Sequence, residues 1–314
     1  MEPVQAASDK KQYRFATLAN GLECLLIQEP VDEDAPTDDG SDGSDGSGGS
    51  DAGSDDDGSD GSGASEGAGG SDGSDDDAAE QPQRAAAAVV VNVGSWADPP
   101  STPGCAHFLE HLLFLGSEKY PGENHYDSFL SKHGGGSNAH TDVEHTAYHF
   151  TVLPAHLREA LDVFAQFFVA PTFSPDMVAR EVKAIDAEFN EAKRDDGCRL
   201  DELLYLAGAP AGHPFATFTW GHAESLRHGD ASAVAAVKEL YETHYHAANM
   251  KLCVVSTAPL DDLEAWVRES FRDVKPSPAA PSIDGAWTRS AWAAPPAPLP
   301  VFENGASALV RVAP

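Results

Sequence analysis

The chain has 314 residues and a formal net charge of −31, from 51 acidic against 20 basic residues. So acidic a chain repels a phosphate backbone, which argues against a nucleic-acid-binding role. No run of 18 apolar residues occurs, so no segment reads as a membrane-spanning helix.

Residues 1–12 are short and polar, with neither the apolar core of a signal peptide nor the Arg-rich pattern of a transit peptide. Cys24, Cys105, Cys198 and Cys253 show no close pairing in sequence and read as free thiols, so the expected location is cytoplasmic. Residues 13–27 predict two strands joined at Asn20-Gly21, a favoured tight-turn pair. Between Asp32 and Glu80 the chain carries 18 acidic residues, no Lys or Arg and no aromatic residue, which leaves 33 acids against the 20 basic residues elsewhere. A segment of this composition cannot bury enough apolar surface to offset its ordering entropy, and residues 32–83 are expected to form a disordered acidic insertion. The insertion is expected to interrupt a hairpin-like sheet between residues 22–27 and 88–93, since loop-closure cost grows slowly with length.

Residues 103–116 follow, and they hold His107, Glu110 and His111 in a nearly all-apolar helical pattern. At i and i+4, two imidazoles share one helix face and can reach one metal ion. Glu110, at the edge of that face, could then take a proton from a water polarised by the metal. The order is His-x-x-Glu-His, the inverse of the commoner zinc-protease motif. Two histidines and a carboxylate inside so apolar a helix need partners, and zinc supplies one.

Residues 126–133 predict a helix broken by Gly134, Gly135 and Gly136, and residues 137–141 and 146–153 predict antiparallel strands. His145 and His149 are also four apart, but in a strand they would share no helical face, so they read as core or surface residues. Leu157, Leu161, Phe164 and Phe168 mark an amphipathic core helix. Residues 174–193 predict a helix capped by Ser174 with Pro175 at its first position. Its Glu181 and Glu188 lie two turns apart and project the same way. One could ligate while the other braces a ligand, or both could belong to a solvated acidic face. Residues 233–245 predict a further helix, 250–256 a buried strand and 261–274 a closing helix. Sheet and helices in blocks rather than strict alternation give an α+β class, an antiparallel sheet packed against helices.

Taken together, Gly94-Ser95-Trp96-Ala97-Asp98-Pro99-Pro100, the 107–111 motif, Phe114-Leu115-Gly116, Gly136-Ser137-Asn138-Ala139, residues 181–188, Gly212-His213-Pro214-Phe215 and residues 218–226 resemble the catalytic domain of the inverted-motif zinc peptidases, the insulysin and nardilysin family. The acidic insert places the resemblance nearest the nardilysin side. The resemblance implies zinc ligation by His107, His111 and Glu188, catalytic roles for Glu110 and, in support, Glu181, and peptide docking on the strand holding Ser137, Asn138 and Ala139. It also implies hydrolysis of peptide bonds in basic peptides with a preference for dibasic sites, which an anionic loop would help to concentrate. The expected organisation is 1–31 as the first strands, 32–83 as the insertion, 84–275 as the catalytic domain, 276–300 as a Pro/Ala-rich linker and 301–314 as the start of a second domain. A family chamber built from four such domains would require a C-terminal half or a dimer partner. The alternative function is a zinc-bound but inactive module that holds basic peptides or proteins through its acidic loop.

Overall fold

The computed structural model describes residues 5–6, 8–32, 82–208 and 218–276. The expectations for almost all of the acidic insertion, for the Gly212-to-Phe215 motif, for the linker beyond Pro276 and for residues 301–314 lie outside the described residues.

Six strands, β1 (Gln12–Thr17), β2 (Glu23–Gln28), β3 (Ala85–Val91), β4 (Gly136–Thr141), β5 (Thr146–Val152) and β6 (Met250–Ser256), form one sheet in the order β1-β2-β6-β3-β5-β4. Every pairing is antiparallel except β2 with β6, which is parallel. The expected hairpin-like neighbourhood of β2 and β3 is not formed, because β6 lies between them and pairs with both. The physical reason is burial: alternate residues Met250, Leu252 and Val254 of β6 are within 2% of fully covered, which a central strand achieves and an edge strand does not.

The period-2 alternation sets one covered face. Leu26, Val254, Ala87, Phe150 and Ser137 form one cross-strand row, and Cys24, Leu252, Val89, Tyr148 and Ala139 the next. The core on this face is completed by α1 (Cys105–Leu113), α2 (His125–Lys132), α3 (Leu157–Ala165), α4 (Pro175–Ala192), α6 (Ala231–His244) and α7 (Leu260–Ser270), whereas α5 (Asp196–Gly208) contributes no residue to it among the described residues. The α+β class is as expected, with one parallel pair in the sheet. The predicted stripe Leu157, Leu161, Phe164 and Phe168 is fully buried, in ring contact with Tyr126, Tyr148 and Phe150. Helix α5 falls where the sequence reading assigns no element, and its Leu200, Leu203 and Leu204 remain 48, 53 and 38% exposed.

Candidate metal centre

Helix α1 begins at Gly104, in the left-handed region at φ +89°. No side chain at that position caps the helix; instead Asp98 reaches over its first turn and accepts the backbone N–H groups of Gly104 at 2.7 Å and Ala106 at 2.8 Å. Burial pushes the Asp98 carboxyl up to about 7, against the pull of those N–H bonds. The helix then buries Phe108, Leu109, Leu112 and Leu113 and turns His107 and His111 toward α4.

The Nε2 atoms of the two histidines lie 3.2 Å apart. From α4, Glu188 brings Oε2 to 3.7 Å from His107 Nε2 and 3.6 Å from His111 Nε2. Donor atoms held tetrahedrally at roughly 2.0–2.1 Å from zinc are about 3.3 Å apart, so the set lies within a few tenths of an ångström of the spacing that ion requires. Among the described residues, these three form the group of metal-ligating side chains whose donor atoms all lie within 4.8 Å of one another.

The outer nitrogens are braced. His111 Nδ1 donates to Glu181 Oε2 at 3.2 Å, and His107 Nδ1 donates to the backbone carbonyl of Trp220 at 2.7 Å. Both bonds place the proton on Nδ1 and leave Nε2 free to ligate. Electrostatics agree with a cation here. Burial, with His111 beside it, holds His107 low, whereas Glu181 and Glu188 overcome the burial of His111 and raise it. The two carboxylates thus favour positive charge at His111.

Glu110 is 7% exposed, and its Oε2 accepts the Thr141 hydroxyl at 2.5 Å. Burial raises its carboxyl and the Thr141 bond lowers it. Thr141 follows Ser137 and Ala139 on alternate positions of β4, so all three stand on the covered face of the sheet. Asn138 is on the opposite, exposed face, and its Oδ1 accepts the N–H of Ala139 at 2.8 Å. Ser137 donates to Asp127 at 3.3 Å. The structure therefore gathers His107, His111, Glu181 and Glu188 directly, and links Glu110 to the strand of the expected docking residues through Thr141.

Three participants were not singled out by the sequence. Thr141 could have been found from the two-residue repeat of β4 once that strand was set beside α1. Asp98 and Trp220 lie in stretches that carried the resemblance, but no local pattern points a carboxylate or a carbonyl at a helix across the fold.

A sheet covered by helices, with an inverted His-x-x-Glu-His helix completed by a glutamate from a second helix, defines a metallopeptidase-type domain. Residues 77–209 match the family described as Insulinase (Peptidase family M16), and residues 233–311 match its inactive domain. The chain belongs to this family, with the insulysin and nardilysin type of metallopeptidase. It is 49% identical over 286 residues to a nardilysin-like protein of Arabidopsis thaliana, covering 87% of this chain and 28% of that protein. Nardilysin of Rattus norvegicus is 45% identical over 196 residues, which is 61% of this chain and 17% of the relative. The crystal structure of pitrilysin superposes with a TM-score of 0.67 at 27% identity, covering 87% of this chain and 24% of that one. The chain thus spans less than a third of the length of these relatives. Peptidases of the family are zinc-dependent, and the His107, His111 and Glu188 set suits that ion.

Proposed function

We propose that this chain carries the catalytic centre of a zinc metalloendopeptidase, with His107, His111 and Glu188 holding the metal and Glu110 acting as general base. The observation that carries the reading is the convergence, 3.2 to 3.7 Å apart, of two Nε2 atoms from α1, the helix that also holds buried Glu110, and one carboxylate oxygen from α4. Zinc, when bound, supplies Lewis acidity that brings the pKa of water to roughly 7. Glu110 then accepts a proton and later delivers it to the leaving amine, the two halves of general acid–base work. Its elevated affinity for a proton, set by burial, suits both halves, and Thr141 fixes the carboxylate that must turn between them. Glu181 holds His111 in its ligating orientation.

In this reading peptides dock along β4 through Ser137, Asn138 and Ala139, as a strand added to the sheet edge. The substrates are basic peptides, with dibasic sites preferred; this is supported by a net charge of −31, much of it in residues 32–83. In this reading the catalytic domain lies within residues 84–275. The free thiols suit a cytoplasmic setting.

The test is zinc content measured together with cleavage of a fluorogenic peptide containing an Arg-Lys pair, with and without a chelator. One zinc per chain and chelator-sensitive cleavage is the expected result. One zinc without cleavage would favour the alternative, a zinc-bound module for basic peptides. That alternative is kept because the chain spans only 17 to 28% of its nardilysin relatives.

A further inference from the structure

The two histidines are braced differently. His111 leans on a side chain, Glu181, whereas His107 leans on the main-chain carbonyl of Trp220, which is 113 positions away. A carbonyl can only accept, so this contact fixes the tautomer of His107 as firmly as a carboxylate would, provided that the carbonyl itself is held still.

It is held from both sides. Toward α1, Gly221 (φ +88°) packs on Gly104, the residue from which α1 starts. A Cβ on Gly104 would meet Gly221 Cα at 2.3 Å, so the two backbones touch with no room for a side chain. Toward α4, the N–H of Ala223 donates to Asp186 Oδ1 at 2.9 Å, and Asp186 sits between Glu181 and Glu188 in sequence. The other oxygen of Asp186 accepts from Asn190 Nδ2 at 3.1 Å, which keeps the carboxylate in place. Phe189, next to Glu188, packs its ring against Phe218 and His222, with centroids 5.4 and 5.1 Å away. His222 Nδ1 in turn accepts the N–H groups of Glu224 at 3.1 Å and Ser225 at 3.2 Å and closes the turn.

We propose that residues 218–226 form a strap that orients the metal donor His107 and sets the spacing of the two donor helices, with Asp186 and Gly221 as its positioning residues. The inference rests on reading His107 as a metal ligand. The strap bridges α1 and α4 at the level where their donors meet, so loosening it at Asp186 frees the Trp220 carbonyl and misaims His107 without touching any ligand.

Zinc affinity of the full chain, measured by competition with a chromophoric chelator, and the visible spectrum of the cobalt(II)-loaded protein test this. Asp186→Ala is expected to weaken zinc binding by about 10- to 100-fold, the usual effect of losing support behind a ligand, and to alter the cobalt spectrum. Asp186→Asn retains an acceptor oxygen for Ala223 and is expected to restore both. Gly221→Ala, which forces a side chain into a left-handed position against Gly104, is expected to behave like Asp186→Ala. Should these variants fail to fold, a long-range proton–nitrogen spectrum of the zinc-loaded wild-type chain decides, with a slowly exchanging proton on Nδ1 of His107 expected. Wild-type affinity and spectrum in a folded Asp186→Ala protein, or a rapidly exchanging or Nε2-borne His107 proton, would overturn the strap. A wild-type chain that binds no zinc would instead remove the metal reading on which it rests.

Discussion

Glu110 and Thr141 show how one residue's chemistry depends on another's position. A carboxylate this buried, held by one short hydrogen bond, has its orientation set by a single hydroxyl. Glu110→Gln should leave zinc content unchanged and lower turnover by about 10²- to 10⁴-fold, the range that general acid–base catalysis supplies. His107→Ala should lose both zinc and turnover. Replacing Thr141 by Ala removes the orienting bond but no ligand; kcat is expected to fall about tenfold, equivalent to about 1.4 kcal/mol, with zinc retained. Thr141→Ser should recover most of that loss, and steady-state kinetics beside metal analysis would show it.

At the scale of elements, the two donor helices are started differently. Helix α4 opens as its sequence predicts, with Ser174 Oγ accepting the N–H of Met177 at 3.3 Å and Pro175 first in the helix. Helix α1 has no local cap and depends on Asp98, six positions before Gly104. Because burial raises Asp98 from 3.8 to about 7, the native state holds its proton more tightly than the unfolded chain. The sign follows: this contribution to stability is fully present below about pH 3.8 and is lost as pH rises through about 7. Denaturant titrations at pH 5 and pH 8 should therefore show a loss toward pH 8 that shrinks in Asp98→Asn. At pH 5 that variant should be about 1 kcal/mol less stable than wild type, because the amide nitrogen cannot accept one of the two N–H bonds, and the deficit should narrow or reverse by pH 8, where wild type has lost its proton-linked contribution.

For the whole molecule, the site joins α1 to α4, and a bound ion adds stability to the folded state alone. With zinc in hundredfold excess over its Kd, about 2.7 kcal/mol of stabilisation is expected. A chelator should lower the midpoint of thermal unfolding of the wild-type chain and leave that of His107→Ala unchanged; equal shifts in both would contradict ligation at this site. Capture of basic peptides that owes its strength to the net charge of −31 should weaken steeply with added salt.

How much of this was legible in advance follows from distance along the chain. The i, i+4 pairing of His107 and His111, the two-turn spacing of Glu181 and Glu188, the Ser174 cap and the alternation in β5 are all repeats shorter than about two helical turns, which backbone geometry alone imposes. These the sequence determined by itself, together with the α+β class. What it could not supply was the choice of long-range neighbours. That β6 would enter between β2 and β3, that Asp98 would cap α1, that Thr141 would reach Glu110 and that the Trp220 carbonyl would brace His107 was decided by tertiary packing. Such contacts join positions 6 to more than 200 residues apart, and they form only because one face of the sheet must be covered and the backbones of Gly104 and Gly221 can touch.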